Sequence, residues 1–112
     1  MRITDIIKEL DLKVISGNSS ITNEVTGGYV SDLLSDVIGN AREGNIWITV
    51  QTHQNVVAVA SLKDLAAVII VKGLQPDSDT IEKSNIENIP VLSTETDTFN
   101  IAGRLYELLN KK

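Results

Sequence analysis

The chain has 112 residues, with 10 Lys plus Arg against 15 Asp plus Glu and a formal net charge of −5 when its one histidine is neutral. That length suits one domain whose core closes without metals or disulfides, and the lack of cysteine excludes disulfides, thiolate zinc sites and a thiol nucleophile. An acidic chain that is only 4% aromatic offers neither the basic face nor the stacking platform of a nucleic-acid binder.

The longest apolar run, Leu65 to Val71, falls far short of the roughly 20 residues that span a bilayer. Asp5 stands where a secretory signal would be apolar. The expectation is a cytoplasmic protein with no membrane partner.

Ile3, Ile6, Ile7 and Leu10 recur at i, i+3, i+4 and i+7, the stripe of a first helix beginning near Thr4. Leu12 to Ser16 reads as a short strand, and Gly17-Asn18-Ser19-Ser20 as a mobile turn. A second strand through Val25-Thr26 toward Tyr29-Val30 is expected to break or bulge at Gly27-Gly28. Ser31 is placed as the N-cap of the next helix, with Asp32 in its first turn and Leu33, Leu34, Val37, Ile38 and Ala41 on one buried face; Gly44 ends it.

Ile46 to Val50 is a β-branched and aromatic strand. Asn55 to Leu62 suits either a buried strand or a buried helix by pattern; a helix is preferred, because parallel strands on either side need a crossover. Ala66 to Val71 has the continuous apolar character of a central parallel strand. Pro76 opens a polar helix to about Asn88, anchored mainly by Ile81, and Ile89 to Ser93 is a further strand. Ile101, Leu105, Leu108 and Leu109 mark the last helix, which runs into Lys111-Lys112. The alternation predicts an α/β single domain with a mainly parallel central sheet flanked by helices.

Parallel strands end on one edge of a sheet, where open α/β folds bind ligands. The polar residues that follow the three strands are Gln51 to Asn55, Lys72-Gly73 and Ser93 to Thr98. Each cluster leads toward a helix N-terminus, whose free N–H groups favour anions. From these, Thr52, His53, Asn55, Lys72, Gly73, Thr96 and Asp97 are the candidate ligand-binding residues. Each also has a plainer role: Asp97 or its neighbours as an N-cap, Gly73 as a turn residue, Lys72 as a solvated charge, His53 as a surface or capping histidine.

The sequence contains no phosphate-cradling G-x-x-x-x-G-K-[ST], no G-x-G-x-x-G and no G-x-S-x-G elbow. Glu24, Asp32 and Asp36 could converge on a divalent cation, though a solvated helix face is the commoner outcome. No enzyme, no resident metal and no cofactor are expected.

The run from Gln51 to Phe99 resembles the DRTGG domain, a regulatory module found beside paired CBS domains in family II inorganic pyrophosphatases and within some phosphotransacetylases. The best match is Ile89 to Phe99, an apolar strand followed by a short polar step into Asp97-Thr98-Phe99. Val56 to Ala60 and Ala67 to Val71 match in character and spacing. The Asp-Arg that names the family falls at Thr52-His53 and its Thr-Gly-Gly at Val71-Lys72-Gly73, where only the last glycine is kept. Thr26-Gly27-Gly28 repeats the triplet but precedes the Trp47 strand.

The resemblance extends over residues 1–112 and implies a free-standing copy whose role is regulatory. Short relatives look like genomic companions of redox or hydrogenase proteins and of signalling kinases, and a fainter likeness reaches the amino-terminal domain of HPr kinase/phosphorylase. The implied function is a homodimeric, non-enzymatic module that binds a small anionic metabolite or nucleotide at the sheet edge. The alternative is an interaction module for a redox or signalling protein, docking through that edge or through the Gly27-Gly28 strand with Val25, Tyr29 and Val30 as exposed anchors.

Overall fold

Ile3, Ile6 and Leu10 form the buried stripe of helix α1 (Ile3–Leu10) in the computed structural model, which describes residues 1–111. The Asp5 carboxylate accepts the Arg2 N–H at 2.9 Å and closes the first turn. Strand β1 (Lys13–Ser16) follows, then a single 3-10 turn, Asn18–Ser20. Strand β2 (Gly27–Val30), helix α2 (Leu34–Asn40), strand β3 (Asn45–Thr49), helix α3 (Asn55–Leu62) and strand β4 (Ala67–Ile70) complete the first two crossovers. Helix α4 (Ser78–Glu87), strand β5 (Val91–Ser93) and helix α5 (Thr98–Leu109) finish the chain. Lys111 lies beyond α5, and Lys112 lies outside the described residues. No helix among the described residues is long and apolar enough to cross a membrane.

The sheet order is β1-β5-β4-β3-β2, parallel throughout except that β1 runs antiparallel to β5. From β2 to β5 the chain advances one strand at a time in one direction, so right-handed crossovers put α2, α3 and α4 on one face. Helices α1 and α5 cover the other. Two apolar layers result. Ile46, Ile48, Ala67, Ile69 and Leu92 pack with Ile6, Ile101 and Leu105, while Trp47, Val68, Ile70 and Val91 pack with Val37, Val56 and Val57. Full burial of each such side chain contributes about 1.5–3 kcal/mol, which is why the short strands β3 and β4, covered on both faces, need no alternation.

Several expectations change. Gly27-Gly28 makes no bulge: β2 pairs with β3 in unbroken register from Gly27 opposite Asn45 to Val30 opposite Ile48. Gly28 instead lets Leu105 of α5 lie against the strand. The register shift is in β1, between Val14 and Ser16. Helix α2 starts at Leu34, later than Ser31 would cap it, and neither Leu33 nor Ile38 is buried. Ser31 turns the chain by accepting the Leu33 N–H at 3.1 Å, and Asp32 reaches β3, where its carboxylate accepts from the Thr49 hydroxyl and the Val50 N–H, both at 2.8 Å. The helix ends at Asn40, before Gly44.

Helix α4 has polar anchors. Its buried residues are Thr80 and Ser84, with Ile81 only half-buried. Thr80 Oγ1 donates to the Thr52 carbonyl at 2.7 Å, Ser84 Oγ to the Ile89 carbonyl at 2.6 Å, and Ser16 Oγ to Ser84 Oγ at 2.8 Å. Hydrogen bonds to buried groups replace the apolar stripe, which explains the weak periodicity. The turn at Gly17 is pinned rather than mobile. Its N–H donates to Asn85 Oδ1 at 2.9 Å, and Ser19 Oγ donates to Asn88 Oδ1 at 2.7 Å. Gly17 has φ +73°, and a Cβ there would lie 2.2 Å from the Ile89 carbonyl oxygen, so only glycine fits.

Candidate functional site

The helices after β4 and β5 leave for opposite faces of the sheet. Helix α4 joins α3, and α5 joins α1. The C-terminal ends of these two neighbouring strands therefore form a topological switch point, the crevice where open α/β sheets receive ligands. Lys72-Gly73 lines one side of it and Thr94 to Asp97 the other. The Lys72 N–H donates to the Thr96 carbonyl at 3.1 Å and the Gly73 N–H to the Thr94 carbonyl at 2.9 Å.

Lys72 and Gly73 both have positive φ, 61° and 68°, and the Leu74 N–H closes on the Val71 carbonyl at 3.2 Å. This is a tight turn with two left-handed central residues, a conformation that favours glycine at both positions. Glycine would be the relaxed choice at position 72, the position at which the sequence resemblance sets the first glycine of the DRTGG signature. Lysine here bears a steric cost of about 1–2 kcal/mol, and Lys72 is exposed.

Asp97 caps α5: its Oδ1 accepts the Asn100 N–H at 2.8 Å and its Oδ2 the Asn100 side-chain amide at 3.1 Å. The carboxylate fixes where the helix begins and takes up N–H groups there. Thr96 is half-buried, and its N–H donates to Thr94 Oγ1 at 3.1 Å.

Thr52, His53 and Asn55 form a second cluster beside the first. The Thr52 carbonyl accepts from the Asp77 N–H at 3.1 Å and from Thr80, so it anchors the start of α4. The His53 Nδ1 accepts the Asn55 N–H at 3.1 Å, the role of a capping histidine. The segment from Lys72 to Asp77 spans from one cluster to the other, tied to Thr96 at one end and Thr52 at the other.

Sequence reasoning missed two residues here. Because β1 is antiparallel, Lys13 arrives opposite Ser93 at the same edge, and it lines a hollow of about 170 Å³ with Asp11, Gly73, Gln75, Thr94 and Glu95. Glu95 lies close over Gly73, where a Cβ would come within 2.5 Å of Glu95 Oε2. Alternation of strands and helices carries no signal for the pairing of β1, so Lys13 could not be placed here from sequence, whereas Glu95 lies in the Ser93 to Thr98 run expected at this edge but is not among the candidates.

The three carboxylates considered for a cation do not converge. Glu24 pairs with the N-terminal ammonium at 3.1 Å and with Arg2 at 3.5 Å, and these cations hold its carboxyl below the usual range. Asp32 is held on β3. Asp36 accepts from the Tyr29 hydroxyl at 2.8 Å and the Asn40 amide at 2.9 Å. Hydrogen bonding by Ser31, Tyr29 and Asn40 holds its carboxyl down, and the bond to Asp36 pushes the Tyr29 phenol up. No group of three acidic or histidine side chains among the described residues could hold a metal.

A larger cavity lies elsewhere, a groove of about 570 Å³ between β2 and α5. Its lining carries no charged side chain, so it has nothing with which to hold an anion. Of the three anchors expected on β2, only Val30 is exposed. Val25 is buried in the core, and Tyr29 packs toward Trp47 while bonded to Asp36.

A three-layer α/β module with a topological switch point at the ends of β4 and β5 is the class that this geometry defines. The family model of the DRTGG domain matches residues 5–108, and the chain belongs to that family. Among solved structures, it is similar to the CBS and DRTGG domains of the regulatory region of Clostridium perfringens pyrophosphatase, in complex with the activator diadenosine tetraphosphate. The TM-score is 0.74 at 21% identity over 94% of this chain. The match takes in 45% of that protein's solved chain, so this chain spans under half of it. No curated protein matches the sequence.

Proposed function

We propose that the protein is a non-enzymatic regulatory module, homodimeric, that binds a small anionic metabolite or nucleotide at the C-terminal edge of the sheet. Thr52, His53, Asn55, Lys72, Gly73, Thr96 and Asp97 frame the site. The observation that carries this reading is Lys72 itself. A cation held in a left-handed turn that glycine would occupy at lower cost, at the switch point of the sheet, is the kind of local strain kept for a function. The adjoining hollow of about 170 Å³ has room for a phosphate-sized group, below the roughly 300 Å³ at which whole-molecule sites begin, and its lining sets Lys13 against the Asp11 and Glu95 carboxylates, so an anion there depends on Lys72 beside it for a second cation. A nucleotide would therefore engage its phosphate end here, with Lys72 and Lys13 as counter-charges and Asp97 setting the start of α5.

The mechanism is ordering. An anion that bridges Lys72 to the Thr96 loop stabilises one arrangement of the segment from Lys72 to Asp77, which a partner protein then reads. The relative whose solved regulatory region holds a nucleotide activator supports the nucleotide class. A thermal-shift screen of inorganic phosphate, mononucleotides and dinucleoside polyphosphates tests it. Ligand at about 100 times its Kd adds about 2.7 kcal/mol of stability, and the absence of a shift with every one of them overturns the small-molecule reading. The uncharged β2–α5 groove favours a second reading, an interaction module with no small ligand. Redox or signalling proteins are the partners proposed for it.

A further inference from the structure

We propose that the groove between β2 and α5 is the surface on which two copies of this chain assemble about a two-fold axis. This rests on the homodimeric reading above and assigns its interface. The two edges of the sheet are unlike. At β1, a register shift and the exposed Lys13 protect the edge from further pairing. At β2 there is no bulge, no proline and no charge: Gly27, Gly28, Tyr29 and Val30 pair with β3 on one side only.

Helix α5 is divided in the same sense. Arg104 and Glu107 border a separate hollow shared with Glu9 on the α1 side, while Phe99, Gly103 and Tyr106 line the groove beside β2. Phe99 is 85% exposed and Tyr106 71% exposed, large apolar surfaces at one place on a chain of net charge −5. Two such chains repel overall, so contact is favoured where neither brings a charge. The β2–α5 face meets that condition.

The patch also fits itself. It carries protruding rings, Phe99 and Tyr106, beside a floor where Gly27, Gly28 and Gly103 have no side chains, and a Cβ at Gly103 would meet nothing within 4 Å. A two-fold axis places one copy's rings over the other's glycine floor and sets the free edges of β2 antiparallel, the self-matching geometry of an isologous interface. The two rings bring on the order of 300 Å² per copy. The edge strand with Val30 and the flanks of α5 must supply the remainder of the roughly 600 Å² per partner at the low end of specific interfaces.

The test is molar mass by sedimentation over a range of concentration for the wild-type chain, Phe99→Glu, Gly103→Arg and the control Ile86→Glu on the far face. The expected result is wild type and control at twice 12.2 kDa, and both groove variants at 12.2 kDa. Gly103→Arg replaces an exposed helical glycine, so its thermal midpoint at low concentration stays at or above that of wild type, which separates lost assembly from lost folding. Groove variants that remain dimeric beside a dimeric wild type overturn the interface and leave the dimer standing. A wild-type chain that stays monomeric at high concentration overturns both.

Discussion

The backbone N–H of Lys72 donates to the carbonyl of Thr96 at 3.1 Å, joining the end of the central strand β4 to the loop that enters α5. One hydrogen bond thus spans the line along which the chain departs to opposite faces of the sheet. In the proposed site, position 72 meets two opposing demands, backbone ease and charge.

Lys72→Gly separates them. Relief of the left-handed conformation, less the extra chain entropy of glycine, should stabilise the fold by about 0.5–1 kcal/mol. Binding of phosphate-bearing ligands should weaken at the same time, with a shallower dependence on salt. Urea denaturation and ligand titration on the one variant check both. A variant that is less stable, or that binds phosphate compounds unchanged, contradicts the role given to Lys72.

Gly17→Ala should cost about 3 kcal/mol, since the new methyl group meets the Ile89 carbonyl in a backbone conformation that alanine resists. Denaturant unfolding measures it. A loss within 0.5 kcal/mol, at the roughly neutral level of surface changes, would mean the turn shifts freely and is not pinned to α4.

Ser84 is the hub between β1, α4 and the start of β5. Ser84→Ala leaves the Ser16 hydroxyl and the Ile89 carbonyl without their partner, and should cost about 2 kcal/mol. Ile86→Ala on the same helix, at an exposed position, should stay within about 0.5 kcal/mol. Equal losses at the two sites would argue that α4 is held by its apolar residues after all.

Tyr29 and Asp36 predict stability losses at both ends of the pH scale. Asp36 is held below its unfolded value of 3.8, so the stability it lends is present above that pH and is lost as pH falls through the folded value. Tyr29 is raised above 10.0, so its contribution is full below that pH and is lost as pH rises through the folded value. Asp36→Asn should flatten both limbs in urea midpoints measured across the acid and alkaline ranges. An unchanged profile would show that the pair does not couple folding to pH.

Much of the sheet was legible before the structure. The apolar runs at Ile46 and Ala66, and the crossover argument for Asn55 to Leu62, led to three parallel strands and to one shared edge. Capping was legible in part: Asp97 caps α5, while Ser31 and Asp32 are drawn away from α2 by β3. Local preference predicts that a residue will cap, and a buried strand end can outbid the helix for it. Helix α4 resisted for a related reason, because Thr80 and Ser84 read as solvent-facing until their partners in other elements are known.

By itself the sequence determined the alternation of elements, the layers they bury and the lack of thiol chemistry, because hydrophobic period and composition are properties of neighbours along the chain. Only the tertiary structure decided that β1 turns antiparallel and carries Lys13 to the edge, that α4 and α5 part across the Lys72–Thr96 line, and that Phe99 and Tyr106 stand together over a glycine floor. These relations join residues far apart in the chain. They are fixed by strand pairing and by which face each helix covers, and no local pattern encodes either.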